Sequence, residues 1–205
     1  MPATLKLSDY VQPEISVTDP MGLDEHAATA RRTSSWTLRQ KIARAAWMIA
    51  WGVLFRTSFH NLYAWRNLLL RLFGAKLGPH VRIRPSAWIE IPWHLSIGEG
   101  SIIGDGAILY SLGKISIGRF TTISQYAHLC AGTHDHTSQS FELVRMPITI
   151  GDNAWIAAEA FVGPGATIGA RSVIAARAVV VRDVAADQVV AGNPARFINR
   201  RVITR

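Results

Sequence analysis

The side chains of this 205-residue chain best suited to acid–base chemistry gather in one stretch, Thr133-His134-Asp135-His136. Histidine exchanges its proton nearest neutral pH. Held beside a hydroxyl, it can take that proton as the oxygen attacks an electrophile. Asp135 or a backbone carbonyl could orient the ring. The lone Cys130 excludes an intrachain disulfide and reads as a small structural thiol, in keeping with a reducing compartment.

These residues stand at the edge of a repeat. From Ile150 to Ala185 the chain reads IGDNAW, IAAEAF, VGPGAT, IGARSV, IAARAV, VVRDVA. Position one is always Ile or Val, and positions two and five are small in five hexads of six. A period of six matches neither a helix nor a lone strand. It is a short strand plus a turn, repeated, as in a parallel β-helix. Position one points inward, three hexads make one triangular coil, and small residues suit tight corners, where glycine also tolerates φ > 0. The period extends upstream through Ile97, Ile103, Leu109 and Ile117, Ile123, Leu129, and more faintly through Leu77, Ile83, Ile89. About five coils are therefore expected over 77–185, enough to bury a core. The hexad begun by Leu129 ends at His134, and residues 135–149 lie outside the period. A solenoid accommodates such an insertion only as an outward loop, so His134 stands on rigid scaffold at a loop root, where functional residues are commonly found.

Upstream, 1–35 is polar and aperiodic and reads as a disordered tail with no signal peptide. Residues 36–76 form a helical region. Leu38, Ile42, Ala45, Ile49 and Val53 share one helix face, with Trp47, Trp51 and Leu54 opposite. Arg56-Thr57-Ser58 breaks the helix, Ser58 is a candidate N-cap, and a second helix carries Leu62, Trp65, Leu69 and Leu72 on one face up to Gly74. The eleven-residue apolar run is too short to span a bilayer, which needs roughly 20 residues. Two readings of 36–73 stay open: a cap on the open end of the solenoid, and a peripheral membrane contact. The net charge of +8 suits an anionic ligand or an anionic surface. No nucleic-acid motif accompanies it. Trp88 and Trp93 are expected to pack rather than to stack on a sugar.

The hexads, with GTHDH at 132–136, PITIGDNAWIAAEAFVGPGATIGA at 147–170 and AGNPARFINRR at 191–201, resemble the hexapeptide-repeat acyltransferases, in particular O-acetyltransferases of the colanic acid biosynthesis type. The resemblance covers roughly Thr37 to the C-terminus. It implies a mainly β fold, a left-handed parallel β-helix assembled as a cytoplasmic homotrimer, with 186–205 packed back along the solenoid. It also implies acetyl-CoA as co-substrate, no metal, and transfer to a sugar hydroxyl of a glycan precursor, at the inner face of the cytoplasmic membrane if the helical region touches lipid. By position it makes His134 the general base, with Asp135 beside it. It puts Trp155, Ala157, Ala158, Ala176, Val181, Arg182 and Arg196 along the coenzyme. Related sugar acetyltransferases often place an asparagine one coil before the histidine. The matching stretch IGDGAILY has none, which leaves Asp105 and Tyr110 as candidate acceptor contacts.

Three other readings stay open. One is an N-acyltransferase, or transfer from a different acyl-CoA, on the same fold. Another is a zinc hydratase of the γ-carbonic-anhydrase type using His94, His128 and His134, whose spacing of 34 and 6 fits that pattern poorly. The third is a non-enzymatic β-helix scaffold.

Overall fold

The computed structural model describes residues 36–138 and 140–202; the tail expected over 1–35 lies outside them. Residues 76–191 wind into a parallel β-helix with three sheets, one per side of a triangular prism. The hexad starts stack in columns. Ile97, Ile117, Ile150 and Ile168 are register partners on the first face. Ile83, Ile103, Ile123, Ile156 and Ile174 stack on the second, and Ile89, Leu109, Leu129, Val162 and Val180 on the third. All are buried, together with the small residues at position five. Each coil thus hydrogen-bonds its neighbours and fills the axis with branched aliphatics, the one-dimensional stacking that stabilises a solenoid.

Two expectations about the solenoid need correction. The solenoid does not end at residue 185. Val184 bridges Ile168, and Gln188–Ala191 adds a parallel strand to the second face. Five full coils are followed by part of a sixth, after which Arg196–Arg200 returns antiparallel. The left-handed corner residue is also not at position two. It is at position four, where His80, Phe120, Tyr126, Asn153, Glu159, Arg171 and Arg177 all have positive φ. Position two is small for a different reason: a Cβ on Gly151 would lie 2.6 Å from Ala170 N, and one on Gly169 2.3 Å from Ala186 N. The next coil's backbone occupies the space of a side chain.

The open end of the first coil is capped by helices. Helix α1 (Leu38–Ala50) starts in a Thr37/Gln40 capping box and continues as a π-helical turn, Trp51–Phe55. Helix α2 (Tyr63–Leu72) ends at Gly74, φ +87°. An exposed strand edge leaves carbonyls unpaired, and here side chains satisfy them. Trp47 and Trp51 indoles donate to Ile89 and Ala87 carbonyls (2.7 and 3.0 Å), Arg66 Nε to Ile83 (2.7 Å), and Asn67 Nδ2 to Val81 (2.8 Å). Trp88 packs edge-on against Trp51 at 4.5 Å. Ser58 is not a helix cap: its hydroxyl donates to Phe55 O and accepts from Arg66 Nη1, and no side chain caps α2. The inward side of α2 is not the stripe of Leu62, Trp65, Leu69 and Leu72. Arg66, Asn67, Leu69 and Leu70 face the solenoid, while Leu62, Trp65 and Leu72 are exposed, because the edge carbonyls demand donors.

Candidate active site

After Cys130 the chain leaves the third face and rejoins the first at Ile148. The excursion is a hairpin rather than a free loop: Gly132–His134 pairs antiparallel with Leu143–Arg145, His134 opposite Leu143. Asp135 N donates to Glu142 O, closing the tip. His134 is thus the last residue of a strand rooted on the third coil.

Its ring is held on two sides. Nδ1 lies 2.8 Å from the Phe141 carbonyl. A carbonyl oxygen only accepts, so Nδ1 carries the proton and Nε2 presents a lone pair. The Phe141 ring stacks on the imidazole, centroids 4.5 Å apart and planes within 6°. Phe141 has φ +51°, a left-handed backbone that costs a bulky residue energy. The orienting acceptor is this carbonyl and not Asp135. The Asp135 carboxylate accepts from Thr137 Oγ1 and Thr137 N (2.6 and 2.9 Å), which lower its pKa. His136 is exposed.

The hexad register sorts the other candidates onto two corners. Between the third and first faces stand Tyr110, His134, Val181 and Arg182. Tyr110 is one coil below, the register partner of Cys130. Val181, Arg182, Arg196 and Phe197 line a cavity of about 300 Å³ at the C-terminal end. Between the second and third faces stand Asp105, Ala158 and Ala176, which share position three of second-face hexads, with Gln125 between Asp105 and Ala158. Asp105 accepts from Ser86 Oγ and pairs with Arg84. Trp155 and Ala157 lead into this corner. Trp155 is half exposed, its indole donating to Ser124 Oγ (2.9 Å). Ala157 N–H is committed to Ile174 O (2.9 Å), so it is no free donor for a substrate. Among the described residues Ala158 N–H has no protein acceptor.

Sequence reading missed Phe141, whose contribution is a carbonyl and a ring contact that no motif spells. The alternation in Leu143-Val144-Arg145 is too short to announce the return strand. It also missed Trp36, whose ring lies between Arg44 and Arg145 (4.6 and 4.0 Å) and ties the start of α1 to the hairpin.

The three histidines of the hydratase reading sit apart. His94 Nδ1 meets Ser111 O at the first coil. His128 lies on the third face between the rings of Tyr110 and Phe161, its Nε2 buried without a partner. Among the described residues no three His, Cys, Asp or Glu side chains of one chain group to hold a metal.

Residues 147–182 match the family model described as bacterial transferase hexapeptide (six repeats). Over 158 residues the chain is 47% identical to the acetyltransferase WcaF of Escherichia coli K12, named for colanic acid biosynthesis, covering 77% of this chain and 87% of that one. The chain is a hexapeptide-repeat acetyltransferase. The family's left-handed parallel β-helix is accordingly the architecture of this chain. It is also 32% identical over 125 residues to the galactoside O-acetyltransferase of Escherichia coli K12, covering 55% and 60% of the two chains. A hexapeptide-repeat acetyltransferase of Vibrio cholerae O1 biovar eltor, solved in complex with acetyl coenzyme A, superposes with a TM-score of 0.74 at 26% identity, covering 88% of this chain and 98% of that one. No described helix is long and apolar enough to cross a membrane.

Proposed function

We propose that this acetyltransferase moves the acetyl group of acetyl-CoA to a sugar hydroxyl of a polysaccharide precursor, with His134 as general base. The observation that carries the reading is the His134 ring, whose Nδ1–H is fixed on the Phe141 carbonyl so that Nε2 is free to accept a proton. The names of the two Escherichia coli relatives, a colanic acid acetyltransferase and a galactoside O-acetyltransferase, support the acceptor class. The Vibrio complex supports the donor.

His134 Nε2 takes the acceptor's proton while the hydroxyl oxygen attacks the thioester carbonyl carbon. The new C–O bond forms, the C–S bond breaks, and the proton held on Nε2 passes to the departing sulfur. No acyl-enzyme is needed, and orientation of two bound substrates supplies much of the rate. Charge developing on the carbonyl oxygen calls for a fixed donor, a part the Ala158 N–H can fill. Arg182 and Arg196 face the coenzyme phosphates, where charge-assisted bonds are strongest, with Val181, Ala176, Ala157 and Trp155 along the pantetheine. Tyr110 and Asp105 are the acceptor contacts. Asp135 shapes the hairpin tip beside His134.

Two corners of one prism cannot flank the same pantetheine from both sides, but one corner of each of two neighbouring chains can. This favours a homotrimer, a closed head-to-tail ring in which residues 77–191 supply the groove. The enzyme works in the cytoplasm, where acetyl-CoA is made.

The test is calorimetry with acetyl-CoA, followed by thiol release in the presence of sugar precursors, for the parent and His134→Ala. Saturable binding by both, with transfer falling at least about 100-fold in the variant, is expected. Near-normal turnover of His134→Ala would remove the base. An amine acceptor preferred over hydroxyls would move the chain to N-acyl transfer.

A further inference from the structure

The helical cap leaves one side without a partner. The inward side of α1 is Trp47 and Ala50, with Phe55 in the turn beyond, and that of α2 is Arg66, Asn67, Leu69 and Leu70. Both sides are pinned to carbonyls of the first coil, so both outward sides look away from the solenoid at the same end. On α1 and the turn that continues it, Leu38, Ile42, Ile49 and Val53 recur at spacings of four, seven and four residues, each between 61 and 73% exposed. Phe59, 84% exposed, extends the surface across the joining turn, and Leu68 and Leu72 continue it on α2. An apolar surface this continuous marks a place where something docks.

Charge identifies the occupant. Residues 36–73 carry not one Asp or Glu; of their cations Arg66 is buried against the first coil and Arg44 pairs with Glu90, while Arg39, Lys41, Arg56 and Arg71 are exposed. Arg39 and Lys41 flank the apolar stripe in its first turn and are exposed. A second copy of this face would bring like charge against like. An anionic bilayer meets both demands: acyl chains take the Leu, Ile and Phe side chains, and headgroups take the cations.

We infer that this end of the molecule docks in the interface of an anionic lipid bilayer, α1 and α2 lying in the plane of the membrane and the solenoid rising from it. The inference rests on the cap alone, so it stands or falls separately from the chemistry at His134. Co-sedimentation of the full chain with phosphatidylcholine vesicles, with and without phosphatidylglycerol, tests it. Phosphatidylglycerol is expected to raise binding at least about tenfold, and high salt to reduce it. Ile42→Glu/Ile49→Glu, at two exposed positions, is expected to leave the melting temperature intact and to reduce binding at least about tenfold while acetyl transfer to a soluble acceptor is unchanged. Arg39→Glu/Lys41→Glu should abolish the preference for phosphatidylglycerol even if the first variant folds poorly. Failure of the full chain to bind either vesicle would overturn the inference, as would undiminished binding by both variants. A drop in oligomeric size for Ile42→Glu/Ile49→Glu by light scattering would give the face to a second copy instead.

Discussion

The coils and the hairpin at 131–147 are made of the same short strands, yet they are governed by different rules. In the coils every side chain has a counterpart one coil above or below: Ile156 sits between Ile123 and Ile174, and Asp152, Glu159 and Asp187 pair with Arg119, Arg177 and Arg171 of neighbouring coils. In the hairpin nothing repeats. The His134 ring is held by a single residue seven positions away, and the strand that carries it has one partner instead of two. Repetition supplies stiffness, and the place where repetition stops holds the side chain proposed as the base.

That contrast predicts opposite outcomes for substitutions in the two regions. The largest effect is expected inside the stack. Ile156→Ala removes a fully buried side chain from a column with no room to collapse, and should cost about 2–5 kcal/mol, read as a lower denaturant midpoint. Acetyl-CoA affinity should persist wherever the protein remains folded. Equal stability of parent and variant would mean that the coils are not cooperative along the axis.

Legibility followed the same division. Inward positions, coil length and the place where the period fails are readable because the solenoid repeats its own constraint many times over; one branched aliphatic at position one is noise, and fifteen are a pattern. Helix phase was read less well. Leu38, Ile42, Ile49 and Val53 on one face and Trp47 on the other are all apolar, so spacing does not say which face is inward; the cap turns Trp47 inward, where its indole donates to a first-coil carbonyl. The motif points to His134 as the proposed base, whereas no motif points to the carbonyl and ring of Phe141 that hold it, since any residue supplies a carbonyl and a left-handed Phe has no sequence signature. The sixth partial coil escaped because its hexads, Val184 and Val190, follow a shortened corner.

A moderate effect is expected in the hairpin. Phe141→Gly keeps the carbonyl and suits the positive φ, but removes the ring stacked on His134. The imidazole then samples orientations in which Nε2 misses the acceptor, and kcat should fall about tenfold with KM for acetyl-CoA and the melting temperature unchanged. A change in KM alone would assign Phe141 to substrate binding rather than to positioning.

The smallest effect sharpens the boundary itself, because His128 is a histidine inside the repeat. Half-buried between Tyr110 and Phe161 with its buried Nε2 unpartnered, its imidazole is pushed below the usual value near 6.5 by desolvation. The unfolded chain therefore binds this proton more readily than the folded one. The stability that neutral His128 allows is fully present above about pH 6.5 and is lost as pH falls toward the lowered folded value. His128→Phe, which fills the same slot between two rings without a titrating nitrogen, should flatten that part of the profile of melting temperature against pH and leave transfer at neutral pH untouched. Loss of transfer in His128→Phe would instead carry the reacting surface from the hairpin onto the third face, and the division between scaffold and site would have to be redrawn within the third coil.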